Sequence, residues 1–233
     1  MFAYYGSKRA LASRYPVPKY RLIVEPFAGS AAYALHHWKD HDVWINDLDV
    51  DVYRLWCYLQ RAPKEELQML PRLATGQRIS DHNFLTAEQR LFLSFHASVG
   101  SKAKASRDKV SGFASASLKR ARLAAARSLH KIAGWRITNF DYSSLENVEA
   151  TWFIDPPYKG AAGMEYDHSS DRIDYEELRD WCLSRRGQVI VCEMETAIWL
   201  PFRMLRRVAG AVKRPYAEVV FVREAVQRTR LET

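Results

Sequence analysis

Apolar residues in this chain gather in short continuous runs, and stretches of helical period separate them. The runs Leu22-Ile23-Val24, Val43-Trp44-Ile45, Arg136-Ile137-Thr138, Trp152-Phe153-Ile154, Val189 to Cys192 and Val219 to Val222 predict strands. Between several of them, Ala31 to Lys39, Asp51 to Leu59 and Tyr175 to Ser184 predict helices. Strands that are apolar throughout belong to a sheet covered on both faces. The pattern therefore predicts an α/β fold with a doubly wound, mainly parallel sheet. Ligands of such sheets bind outside the carboxyl ends of the strands.

The stretch from about Arg61 to Gly134 breaks the alternation. Its first half is helical and includes Ala87 to Leu93, whereas Ser98 to Ser117 is too rich in Ser, Lys and Gly to pack a core. A basic helix, Leu118 to Ile132, follows. The expected organisation is one α/β unit from residues 1–60 plus 135–233, interrupted by a helical, basic insert at 61–134.

Charge sharpens that picture. Between Ser98 and Ala133 stand Lys102, Lys104, Arg107, Lys109, Lys119, Arg120, Arg122, Arg127 and Lys131 against Asp108 alone; nine minus one equals the chain's whole net charge of +8. A localised basic patch predicts a polyanionic partner, with Lys102, Lys104, Arg107, Lys109, Lys119, Arg120 and Arg122 as expected nucleic-acid contacts. No run of 18 apolar residues is present, so no membrane span is expected. The N-terminal residues lack a signal-peptide pattern. Cys57, Cys182 and Cys192 lack metal-ligand spacing and read as reduced packing residues of a cytoplasmic protein, and the dispersed histidines suggest no metal site.

The densest chemistry sits at strand ends. Asp155-Pro156-Pro157-Tyr158 follows the fourth run. Its prolines fix φ and remove two donors, leaving local carbonyls free to accept. A carboxylate and a carbonyl beside a flat aromatic suit a planar ring bearing an amino group; an ordinary Pro-Pro turn with a surface tyrosine is the alternative. After the first run comes Glu25-Pro26-Phe27-Ala28-Gly29-Ser30, whose small residues let a ligand approach the backbone. It has neither the Gly-Lys-Ser/Thr ending of a phosphate loop nor the three-glycine dinucleotide spacing, which argues against an oxidoreductase. The second run ends in Asn46-Asp47, and Asp47 stands where nucleoside-binding α/β folds hold ribose hydroxyls, whereas Asp49 or Asp51 suit helix capping. Asp141 and Tyr142, after the third run, suit an adenine edge and face, or equally a plain strand exit.

Taken in order, Tyr4-Tyr5-Gly6-Ser7-Lys8, Val24 to Ser30, Asn46-Asp47 and Asp155 to Tyr158 resemble the Dam-like DNA adenine methyltransferases, from nearly the first residue to about residue 160. The resemblance implies a Rossmann-like methyltransferase sheet and transfer of a methyl group from S-adenosyl-L-methionine to the exocyclic N6 amine of adenine in double-stranded DNA. Tyr4 and Lys8 would bind the cofactor. Phe27, with Glu25 and Gly29 beside it, would line the methionine end; Asp47 would hold the ribose and Asp141 would lie near the adenine. Asp155, also beside the cofactor, and the Pro156 carbonyl would accept the target amine's hydrogens while Tyr158 stacks on the extruded base. No metal is needed. A monomer or weak dimer of bacterial, phage or prophage origin is expected.

Two departures stand out. Tyr4 and Ser7 occupy positions where the family usually has Trp and a second Gly. The basic insert lacks the family's Asn/Phe/Pro-rich recognition stretch, so no target word is implied. The rival readings are an exocyclic-amine methyltransferase acting on RNA adenine or DNA cytosine, and an inactive nucleic-acid-binding relative.

Overall fold

Successive residues of the central strands point to opposite faces of one sheet, and both faces are buried. Val24, Trp44, Trp152, Ile154, Val189 and Val191 pack on one side; Ile23, Ile45, Phe153, Ile190 and Cys192 pack on the other. This double burial explains why the strands read as unbroken apolar runs. A computed structural model describes residues 1–2, 4, 6–97, 108–111, 114–160, 163–166, 168–208 and 216–224.

The strands are β1 (Leu22–Glu25), β2 (Asp42–Asn46), β3 (Arg136–Thr138), β4 (Ala150–Ile154), β5 (Gly187–Met194), β6 (Arg203–Val208) and β7 (Tyr216–Arg223). They form one seven-stranded sheet in the order β3-β2-β1-β4-β5-β7-β6. The first five are mutually parallel, whereas β7 runs antiparallel to both β5 and β6. The chain reverses direction across the sheet between β1 and β4, and that switch point opens a crevice at their carboxyl ends.

The α-helices among the described residues are α1 (Ala32–His37), α2 (Val50–Arg61), α3 (Lys64–Met69), α4 (Ala87–Ser94), α5 (Ala114–Ser128) and α6 (Tyr175–Ser184), with short 3-10 turns between elements. Asp49 caps α2 through the N–H groups of Asp51 and Val52, Asp174 caps α6, and Thr86 with Gln89 forms a capping box on α4. Tyr175, Leu178, Trp181 and Cys182 of α6 cover one face of the sheet, while Tyr33 of α1 and Leu55 and Trp56 of α2 cover the other.

All six predicted strands are present; β6 was not predicted. Its Arg203, Met204, Arg206 and Arg207 are exposed, and a bulge between Met204 and Arg206 breaks the alternation. An edge strand dressed with charge resists further pairing but leaves no apolar signature.

The segment between β2 and β3 contributes Leu67, Leu73, Ile79, Phe92, Leu93, Leu118 and Ala125 to the same buried cluster as α1 and α2. The expected basic insert therefore shares that face's core. Of its expected nucleic-acid contacts, Lys109, Lys119 and Arg120 are exposed, while Lys102, Lys104 and Arg107 lie outside the described residues. Arg122 departs from expectation. It is only 4% exposed, and its guanidinium donates to the carbonyls of Gln68 and Leu70 at the end of α3. Those carbonyls have no partner within the helix, so Arg122 serves as the C-terminal cap of α3 rather than as a phosphate contact. Arg122→Ala is expected to cost about 1–3 kcal/mol of stability in denaturant melts while leaving the salt dependence of DNA binding unchanged.

Candidate active site

The carboxyl ends of β1, β2 and β4 open into a cavity of about 150 Å³. Tyr4, Lys8, Glu25, Phe27, Gly29, Asp47, Asp141 and Asp155, scattered over most of the chain, all line it.

Backbone lacing holds the loops together. Asn46, 1% exposed, uses its whole amide: Nδ2 donates to the carbonyls of Pro26 and Phe140, and Oδ1 accepts from Phe140 N–H and Thr138 Oγ1. The exits of β1 and β3 are thereby tied to one side chain at the end of β2. Asp47 accepts the N–H of Gly29 at 2.7 Å and that of Asp49 at 3.0 Å. Burial pushes the Asp47 carboxyl up to about 7, although both N–H bonds pull the other way. Glu25 is buried, and Oε1 accepts the N–H of Ala34 at 2.6 Å, satisfying a donor in the first turn of α1.

Gly29 has a positive φ of 45°, and a Cβ there would stand 2.8 Å from the Tyr4 ring. Only glycine accommodates both the conformation and the contact. Ser7 Oγ lies 2.7 Å from Ser30 Oγ and joins the N-terminal segment to the same loop. Phe27 lines the cavity and packs against Tyr142 at 5.2 Å, next in sequence to Asp141. The reason is register: the β1 and β3 exits are drawn together by Asn46. Asp141 caps a short turn by accepting from Ser143 N–H and Oγ.

The innermost wall is ionic. Lys8 is 6% exposed, and its Nζ lies 3.1 Å from Asp155 Oδ1, 3.6 Å from Glu218 Oε1 and 4.3 Å from the centroid of the Tyr158 ring. Burial alone would push the ammonium down; Asp155 and Glu218 outweigh it and hold Lys8 above its ordinary value. Burial raises Asp155 to about 6, with Lys8 pulling it down and Glu218 pushing it up.

The Asp155 loop has its own supports. Glu193 accepts the N–H groups of Lys159 and Met194, each at 2.8 Å, and the Tyr175 hydroxyl donates to the Pro157 carbonyl. The Pro156 carbonyl accepts no hydrogen bond among the described residues, but Pro156 is buried and, unlike Asp155 and Pro157, does not line the cavity. Tyr158 differs from expectation. It is 9% exposed, its hydroxyl donates to Glu218 Oε1, and Pro157 rather than Tyr158 lines the cavity. Lys8 covers one face of its ring.

Several cavity residues carried no sequence signal: Tyr166, His168, Ser169, Arg172 and Ile173 follow the Asp155 loop in an irregular stretch. Glu218 and Tyr15 were also missed. The one hint was an acid heading the apolar run of β7.

The family model for D12 class N6 adenine-specific DNA methyltransferases matches residues 4–185, well over half of the chain. A comparison with curated proteins found no match. The matched span takes in all eight cofactor candidates and the Asp155 loop but stops before β5, leaving Glu193 and Glu218 outside it.

That family implies S-adenosyl-L-methionine as methyl donor. Gly29→Ala, which forces a Cβ against Tyr4, is expected to weaken its binding at least about tenfold and to cost about 1–3 kcal/mol of stability. Calorimetric titration and thermal melts check this; unchanged binding would mean that this wall does not shape the donor site.

Proposed function

The chain belongs to the D12 class N6 adenine-specific DNA methyltransferase family, and we propose that the cavity at its sheet's switch point is where the reaction occurs, on double-stranded DNA. The observation that carries this is the convergence of the eight candidate residues on one cavity whose inner wall is the Lys8–Asp155 pair.

The residues present suit the donor. Asp47 and Asp49 stand where hydroxyls need acceptors, and the Phe27–Tyr142 pair offers apolar faces to a flat ring beside Asp141. Gly29 brings the backbone close to the cavity. Carboxylates around the cavity favour a cationic ligand. When bound, the donor supplies an electrophilic methyl on sulfonium.

Everything else falls to this chain. An adenine amine is a weak nucleophile because its lone pair is delocalised into the ring. Asp155 and the Pro156 carbonyl accept its hydrogens, which favours a tetrahedral nitrogen and offsets the charge developing there. Lys8 fixes the Asp155 carboxylate. Tyr158 supplies a ring for the base, which must leave the duplex to arrive. The exposed Lys109, Lys119 and Arg120, with Lys102, Lys104 and Arg107, give residues 61–134 the role of gripping phosphates.

Three outcomes are expected. Asp155→Ala lowers methyl transfer at least about 100-fold, the scale of losing one preorganised polar partner, while binding of the labelled donor persists; near-normal turnover rules the role out. In the unaltered enzyme, Asp155 must be ionised to accept. Its raised value of about 6 means that kcat/KM falls as pH drops through that value, by about tenfold per unit below it. Separately, Lys102→Ala, Lys104→Ala and Lys109→Ala together weaken DNA binding and flatten its salt dependence by about 0.9 in log–log slope per lost contact. An unchanged slope places the DNA surface elsewhere.

A further inference from the structure

Glu218 occupies the centre of a polar cluster that no motif announces. It lies on β7, opposite Met194 of β5, with no exposure at all. Its Oε1 accepts the hydroxyls of Tyr15 at 2.7 Å and Tyr158 at 2.5 Å, while Oε2 finds no hydrogen-bond partner among the described residues. A buried carboxylate with an idle oxygen carries a desolvation cost that packing alone does not explain. The charge count is equally uneven: one ammonium, Lys8, stands 3.1 Å from Asp155 and 3.6 Å from Glu218.

We propose that Glu218 is a positioning residue for methyl transfer, acting as the second counter-ion of Lys8 and as the anchor of the Tyr158 hydroxyl. With Glu218 absent, the whole ammonium charge falls on Asp155, whose carboxylate must instead accept the target amine's hydrogens. Sharing the ammonium keeps Asp155 electron-rich, and the hydroxyl anchor fixes the tyrosine ring. This rests on the role of Asp155 given above.

The electrostatics agree in direction: Glu218 pushes the Asp155 carboxyl up and Lys8 pulls it down, on top of burial. The other groups that feel Asp155 are Glu25 on β1, Cys192 and Glu193 on β5, and the hydroxyls of Tyr15 and Tyr158. Burial pushes the thiol and both hydroxyls up, so they stay uncharged near neutral pH. Replacing Glu218 leaves all five in place.

Glu218→Gln keeps the size and removes the charge. The full-length variant is assayed for methyl transfer to duplex DNA across pH, alongside donor affinity and thermal melting. The expected result is a kcat at least about tenfold lower, donor affinity unchanged, and an acid limb moved to lower pH by about half to one unit. Retained kcat overturns the inference. So does an acid limb that stays in place while kcat falls in step with melting temperature, since that marks a purely structural role. Should Glu218→Gln fail to fold, Glu218→Asp carries the test. It keeps the charge, so the acid limb should stay at its wild-type position while the shorter reach lowers kcat; a displaced limb or wild-type kcat overturns the inference. Turnover surviving in Asp155→Ala would sink the underlying reading, whereas an immobile acid limb in Glu218→Gln, with Asp155→Ala inactive, sinks only the part given to Glu218.

Discussion

One ammonium held between two carboxylates, largely out of water, is the constraint around which the active end of this protein is built. Lys8 meets Asp155 and Glu218 from opposite regions of the chain, the first at the N-terminus, the others on β4's exit and on β7. Burying such a cluster is costly unless every member is partnered, and removing one partner strands the rest. The surrounding groups follow from that. Tyr15 and Tyr158 donate to Glu218, and the N-terminal segment is pinned across the cavity through Lys8 and through Ser7 against Ser30. Burial raises the Asp155 carboxyl, with Lys8 pulling it down and Glu218 pushing it up.

A second constraint acts through neutral groups. Asn46 binds the exits of β1, β2 and β3 with one fully occupied amide, and Asp47 holds the Gly29 loop against the β2 exit. These bonds join short side chains to neighbouring strand exits, so the cavity wall is set by backbone geometry rather than by long flexible side chains. A rigid frame of this kind holds bound groups in a fixed geometry.

Some of this was legible in advance, for a physical reason. In a parallel sheet the carboxyl ends of all strands face one way, so motifs at the ends of β1, β2 and β4 had to converge. What misled was chemistry that looks alike in one dimension. Arg122 reads as one more cation in a basic helix, yet it shares the stripe of Leu118, Ala125 and Ala126, all buried; helical period was the overlooked signal. Tyr158 reads as an exposed platform, but its hydroxyl is drawn inward by an acid sixty residues away. The charged edge strand β6 offered no apolar run to find.

The amino-acid order alone determined the class of sheet, the placement of six of its seven strands, the motifs that point to adenine N6 methylation and the basic character of the segment between β2 and β3. Those features are set by local periodicity and by residues close in sequence, which the chain displays openly. The tertiary structure alone decided which acid shares Lys8, which arginine is spent on a helix end and which acid holds the Tyr158 hydroxyl. Such choices depend on contacts between residues far apart in sequence and on burial, and neither exists until the sheet closes.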